Sequence, residues 1–100
     1  MKTNVHFVHM ETSPTLNAYV LEKINNLFKK YDWIIKTDIS FIKKNDSKGK
    51  GKVCDIEVSI PGALLYATSD EDKFEFAFKN SLSDIEVQLK KSKQQRKPHI

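Results

Sequence analysis

The chain has 100 residues, 39% of them hydrophobic and 30% charged, with a formal net charge of +4 at neutral pH. That is enough for one domain with a modest core, and no run reaches the ~18 apolar residues that a membrane span needs. A single cysteine, Cys54, excludes an internal disulfide framework and a cysteine-based zinc site.

The N-terminal stretch carries no apolar signal-peptide core, so a cytoplasmic protein is expected. Thr3 to Val8 alternates, with Val5 and Phe7 on one face, and predicts a strand. Ser13-Pro14 then opens a helix, with serine at the cap and proline at the first helical position. Leu16, Val20, Ile24, Leu27 and Tyr31 form its apolar stripe, widened by Tyr19 and Phe28. Lys23, Asn26, Lys29 and Lys30 lie toward the other side. Ile35 to Lys43 predicts a second strand, with Ile35, Thr37, Ile39 and Phe41 on one face and Lys36, Asp38 and Ser40 on the other. Ile42 interrupts that pattern. Lys44 to Lys52 is rich in glycine, serine and lysine and predicts a hairpin loop. Val53 to Ile60 predicts a third strand with Cys54, Ile56, Val58 and Ile60 inward and Asp55, Glu57 and Ser59 outward. Pro61-Gly62 is a turn signal. Ala63 to Ser69 predicts a fourth strand.

The longest element is a helix from Phe74 to Lys93. Phe74, Phe78, Leu82, Ile85 and Leu89 recur at helical spacing, and Ala77 and Ser81 beside that stripe are small enough to let another element approach. Ser69 or Asp70 is expected to cap it, with Glu71 and Asp72 near the positive end of its dipole. Lys90, Lys91 and Lys93 crowd the last turn, where cations are favoured, and Pro98 limits extension. Phe74, Phe76 and Phe78 also alternate at period two, which suits a strand. The length of the later stripe favours helix, so Phe76 is expected to project off the core face, either packed at the helix edge or contacting a partner.

The order β-α-β-β-β-α predicts an α+β fold, a two-layer sandwich of a four-stranded mixed sheet with two helices on one face. A helix of about 17 residues joining the first two strands fits a right-handed parallel crossover. Residues 1–93 are expected to form the domain and 94–100 a basic flexible tail. Charge is unevenly placed: residues 43–52 carry five lysines against Asp46, and residues 90–97 carry five cations and no acid. The rest of the chain is net acidic. Two concentrated basic segments point to a polyanionic partner, most often nucleic acid; lysine-rich loops and tails also serve solubility alone.

Catalytic chemistry finds little support. His6 and His9 are three apart at a strand, which turns them toward opposite faces, and His99 is in the tail, so no metal site is expected. Cys54 occupies an inward strand position, where a buried hydrophobe is the ordinary role. Asp70, Glu71 and Asp72 are explained by the helix start. No phosphate-binding glycine loop occurs. The only arginine is Arg96. No catalytic residue, cofactor or small-molecule substrate is expected.

Several stretches match a known family. Glu11-Thr12-Ser13-Pro14, then Leu16, Tyr19-Val20, Lys23-Ile24 and Leu27, is similar to its E-x-T-P-x-L-x-x-Y-V-x-x-K-L-x-x-L pattern. Pro61-Gly62 falls at its last strand turn. Ile85 to Lys93 resembles its L-E-R-Q-L-x-K-x-K. With these, the whole chain resembles the short form of the ribosome hibernation promoting factors, also called protein Y or ribosome-associated inhibitors. The resemblance implies binding to the small ribosomal subunit in the channel used by messenger and transfer RNA, and inhibition of translation in stationary or stressed cells. It implies the same fold, akin to double-stranded-RNA-binding domains, with basic outer helix faces against ribosomal RNA. Longer relatives add a C-terminal domain that pairs ribosomes; this chain ends at Ile100, so pairing by that route is not expected, and a monomer is expected off the ribosome. Val87 stands where the family usually has arginine and Asn26 where it often has lysine. Lys73 and Lys79 occupy positions that are often aspartate, and Glu75 replaces a common tyrosine.

The residues expected to engage ribosomal RNA are Lys23, Lys29, Lys30, Lys79, Lys90, Lys91, Lys93, Arg96 and Lys97. The competing readings are a general double-stranded-RNA-binding module and a protein-interaction domain that receives an acidic partner through Phe76 and the lysine tail.

Overall fold

A computed structural model of the chain describes residues 2–45 and 50–95. The elements are β1 (Lys2–Val8), α1 (Pro14–Lys30), β2 (Lys36–Lys43), β3 (Lys52–Ile60), β4 (Ala63–Glu71) and α2 (Phe74–Gln95). The strands lie side by side in the order β1-β2-β3-β4. The β1–β2 pair is parallel and the other two are antiparallel. This is the α+β sandwich expected from the strand and helix periods.

The register explains the two layers. Val5, Ile39, Ile56 and Ala67 form one inward row across the sheet, and Phe7, Phe41, Cys54 and Ser69 form the next. Those rows bury themselves against Leu16, Val20, Ile24 and Leu27 of α1 and Ala77, Phe78, Ile85 and Leu89 of α2. At the centre, Phe41 stacks on Phe7 at 5.6 Å between ring centroids and meets Phe74 edge-on at 5.7 Å. Phe78 reaches the same ring at 6.3 Å and Tyr19 at 5.9 Å, tying α2 to both β2 and α1.

Local chemistry sets the helix ends. Ser13 is extended, and its hydroxyl oxygen accepts the Leu16 N–H at 3.2 Å, which satisfies one of the free donors of the first turn. Tyr31 closes α1, its N–H donating to the Leu27 carbonyl at 3.0 Å. The small residues on α2 act as expected: Ala77 and Ser81 are fully buried, and the Ser81 hydroxyl donates to the Cys54 carbonyl at 2.7 Å. A larger side chain there would hold the helix off β3.

Three expectations are corrected. Ser69 and Asp70 do not cap α2, because β4 continues through Glu71, where Val53 pairs with Asp70 and Lys52 with Glu71. Asp70 instead accepts the Gly51 N–H at 2.8 Å, and the carbonyl that starts α2 is that of Lys73, accepting the Ala77 N–H at 3.1 Å. Ile35 does not join the core. It precedes β2 and is 55% exposed, while its neighbour Ile34 is buried at that end with Tyr31. Finally, α2 runs to Gln95, so residues 94 and 95 are helical; the rest of the expected tail lies outside the described residues.

Among the described residues, one buried side-chain group is left without a partner. Thr37 is fully buried on the inward face of β2, and its hydroxyl makes no hydrogen bond among the described residues. A buried orphan hydroxyl carries an uncompensated desolvation cost. Thr37→Val should therefore raise stability by about 1 kcal/mol, read as a higher urea midpoint at unchanged slope. An unchanged or lower midpoint would mean that the hydroxyl is satisfied in solution.

Candidate nucleic-acid interface

The two helices lie side by side and run in the same direction. Contacts between them advance together along both: Tyr19 with Phe78, Lys30 with Glu86 at 3.8 Å, and Lys93 over the Tyr31 ring at 6.0 Å. Their C-terminal ends therefore share one end of the sandwich. Lys29 and Lys30 of α1 come beside Lys90 and Lys93 of α2 there, where the negative ends of two helix dipoles favour cations.

Between the helices runs a groove lined by Lys23, Asn26, Leu27 and Lys30 on one side and Leu82 and Glu86 on the other. Lys79, Glu86, Lys90 and Lys93 recur at helical spacing, so these lysines share the flank of α2 that borders the groove. Lys29 projects from α1 away from the core. Lys91 departs from the common surface: it lies about 100° around α2 from Lys90, on the flank where Gln88 donates to the Tyr66 carbonyl of β4 at 2.9 Å. Arg96 and Lys97 lie outside the described residues.

Little neutralises this surface. Among the described residues, the one carboxylate within ion-pair distance of these lysines is Glu86, at 3.8 Å from Lys30, and both side chains are solvated. An exposed pair of this kind contributes little. The Lys23 ammonium lies over the Tyr19 ring at 5.5 Å, which orients it without cancelling its charge. Lys29, Lys79, Lys90, Lys91 and Lys93 are exposed. Asn26 and Val87, the departures from the family pattern, are exposed as well.

A second basic region lies at the other end of the sandwich. Lys43 and Lys44 line a hollow with His9 and Asn45. The Gly51–Asp70 bond fixes this region beside the end of β4, near where α2 begins. It is separated from the Lys90 region by roughly 24 Å, the rise of α2 over the 16 residues from Phe74 to Lys90. The lysine run marked this loop, but its position relative to the helices depends on the fold.

Other chemistry is confined by burial. Cys54 is fully buried, and burial, with the Asp55 charge added, pushes its thiol far above the usual range, so it remains a protonated core side chain. His6 stands on the outer sheet face opposite Ser40, and His9 follows β1 at a φ of 59°. No group of three metal-ligating side chains occurs among the described residues. No helix among them is long and apolar enough to cross a membrane.

Residues 3–97 match the family model described as sigma 54 modulation protein / S30EA ribosomal protein. The chain belongs to this family. Among solved structures, the chain is similar to a ribosomal subunit interface protein from Coxiella burnetii, with a TM-score of 0.80 and 24% identity over 94% of this chain and 99% of that one. It is also similar to the N-terminal domain of Thermus thermophilus Protein Y, with a TM-score of 0.74 and 19% identity over 91% and 98% of the two chains. At these identities the two structures support the S30EA fold alone. No curated protein matches the chain significantly.

Proposed function

We propose that this S30EA family member is a ribosome hibernation factor. It binds the small ribosomal subunit in the channel for messenger and transfer RNA and blocks translation in the cytoplasm of stationary or stressed cells. The observation that carries this reading is the solvated ammonium surface across two parallel helices, at one end of a fold shared with a ribosomal subunit interface protein. The mechanism is steric occlusion. Lysines at fixed spacing engage ribosomal RNA phosphates and supply affinity and orientation without reading sequence. Shape selects the site, because RNA helices are recognised largely through their backbone geometry. The protein needs no cofactor and acts as a monomer off the ribosome.

Competition separates this reading from a general duplex-binding module. Purified small subunits should retain the protein in the presence of a large excess of plain duplex RNA. Displacement by duplex at comparable concentration would assign it to the general class. Capture from extract that survives ribonuclease treatment would point to an acidic protein partner, with Phe76, 45% exposed, as its apolar contact.

A further inference from the structure

Among the described residues, no element covers the centre of the sheet face opposite the helices, where carboxylates outnumber lysines; Val53, at the end of that face nearest Asp70, is buried. One outward row crosses all four strands as Asn4, Asp38, Glu57 and Tyr66, and the next as His6, Ser40, Asp55 and Thr68. Asp38 and Glu57 are direct cross-strand partners. Like charges in that arrangement destabilise a sheet. Asp38 is partly compensated by the Lys36 ammonium at 3.3 Å and by the Asn4 amide, which donates at 2.9 Å. Burial raises the Asp38 pKa, but hydrogen bonds from Asn4 and Lys36 and the nearby charges lower it further, so it stays ionised. Asp55 accepts a hydrogen bond from the Thr68 hydroxyl. Glu57 is exposed and has no partner among the described residues. Beside these carboxylates, Leu64 and Tyr66 of β4 are 60% and 51% exposed. The cations on this face, Lys2 and Lys36, are confined to one margin.

We propose that this acidic and apolar sheet face, centred on Glu57 with Asp55 and Tyr66, docks an extended arginine- and lysine-rich protein segment. The partner rests on the proposed function. With the helical layer against ribosomal RNA, the sheet faces away, and its carboxylates are repelled by phosphate. What such a face can meet on an RNA-rich particle is RNA-binding protein, which carries cationic segments to neutralise that same phosphate. Carboxylates receive the guanidinium or ammonium groups, and Leu64 and Tyr66 receive the stems or an apolar neighbour. The like-charge pair is then a local stability cost relieved on binding.

The test has two arms. In the first, a synthetic peptide of alternating arginine and leucine is titrated into the isotopically labelled protein. Amide shifts should concentrate at Asp55, Glu57 and Tyr66 and vanish in Glu57→Lys. Shifts confined to other faces, the same shifts with magnesium alone, or no shifts would overturn the proposal. In the second, Glu57→Gln should raise the melting temperature yet weaken binding to small subunits, and Glu57→Lys should weaken it about tenfold. Binding of either variant to ribosomal RNA stripped of protein should be no weaker than that of the unaltered chain. Equal weakening on stripped RNA, or unchanged subunit affinity, would overturn the proposal, as would mass growth with concentration that Glu57→Lys abolishes, which assigns the face to a second copy. Failure of the unaltered chain to bind subunits would instead overturn the proposed function, and the peptide arm would still decide what the sheet face takes.

Discussion

Replacing Lys90, Lys91 and Lys93 together by glutamate is expected to abolish cosedimentation with small subunits while leaving the chain folded. The three side chains are exposed at the end of α2 and make no ion pairs among the described residues, so the fold loses only the Lys93 contact over the Tyr31 ring, worth about 0.5–1 kcal/mol at an exposed site. The interface loses three cations and gains three charges of the wrong sign, beside Lys29 and Lys30 of α1. If about six phosphates are neutralised in the complex, raising salt from about 50 to about 200 mM should weaken binding roughly a thousandfold. Removing three of those contacts should lower the slope of affinity against salt by about half. Single replacements should separate the two flanks of α2. Lys93→Glu, on the flank facing α1, should weaken binding more than Lys91→Glu, on the flank facing β4. Retained binding by the triple variant would move the site elsewhere on the molecule, and a flat salt response would remove phosphate from the mechanism.

Phe41→Ala should cost about 3–5 kcal/mol, a large part of the roughly 5–15 kcal/mol that stabilises a domain. Phe41 is fully buried and meets the rings of Phe7, Phe74 and Phe78. Its loss opens a cavity where β1, β2 and α2 converge, and the closely packed surroundings cannot collapse to fill it. The melting temperature should fall by roughly 15–30 °C. Phe76→Ala provides the contrast. That ring is 45% exposed and lies under the Lys73 ammonium at 5.6 Å, so its loss should cost less than about 1 kcal/mol. A loss below about 1 kcal/mol at Phe41 would show that the aromatic cluster is not the centre of the core. Subunit binding by Phe76→Ala, once its stability is confirmed, also tests whether the exposed ring contacts a partner.

Much of the fold was legible in the residues because burial imposes a local period. The four-four-three-four spacing of Phe74, Phe78, Leu82, Ile85 and Leu89 identified α2, and Cys54, Ile56, Val58 and Ile60 identified the inward face of β3. Ser13-Pro14 identified the start of α1, because capping is decided within one turn. Local reasoning failed where a residue had two suitable partners. Asp70 fits a helix cap by spacing, yet it extends the β4 ladder and accepts the Gly51 N–H across 19 residues of chain. Ile35 fits the alternation of β2, yet the space at that end is taken by Ile34 and Tyr31.

The amino-acid order determined that the chain has two basic segments, two amphipathic helices and a sheet with one polar face, since charge and periodicity are properties of consecutive residues. It placed both helices on one sheet face, but it could not determine which lysines that arrangement brings together: Lys29 and Lys30 next to Lys90 and Lys93, with Lys91 left aside. Nor could it determine that Asp38 would stand directly opposite Glu57. Both arrangements come from the parallel β1–β2 crossover and the strand register, which are set by burying one continuous apolar face. No short stretch of chain carries that information.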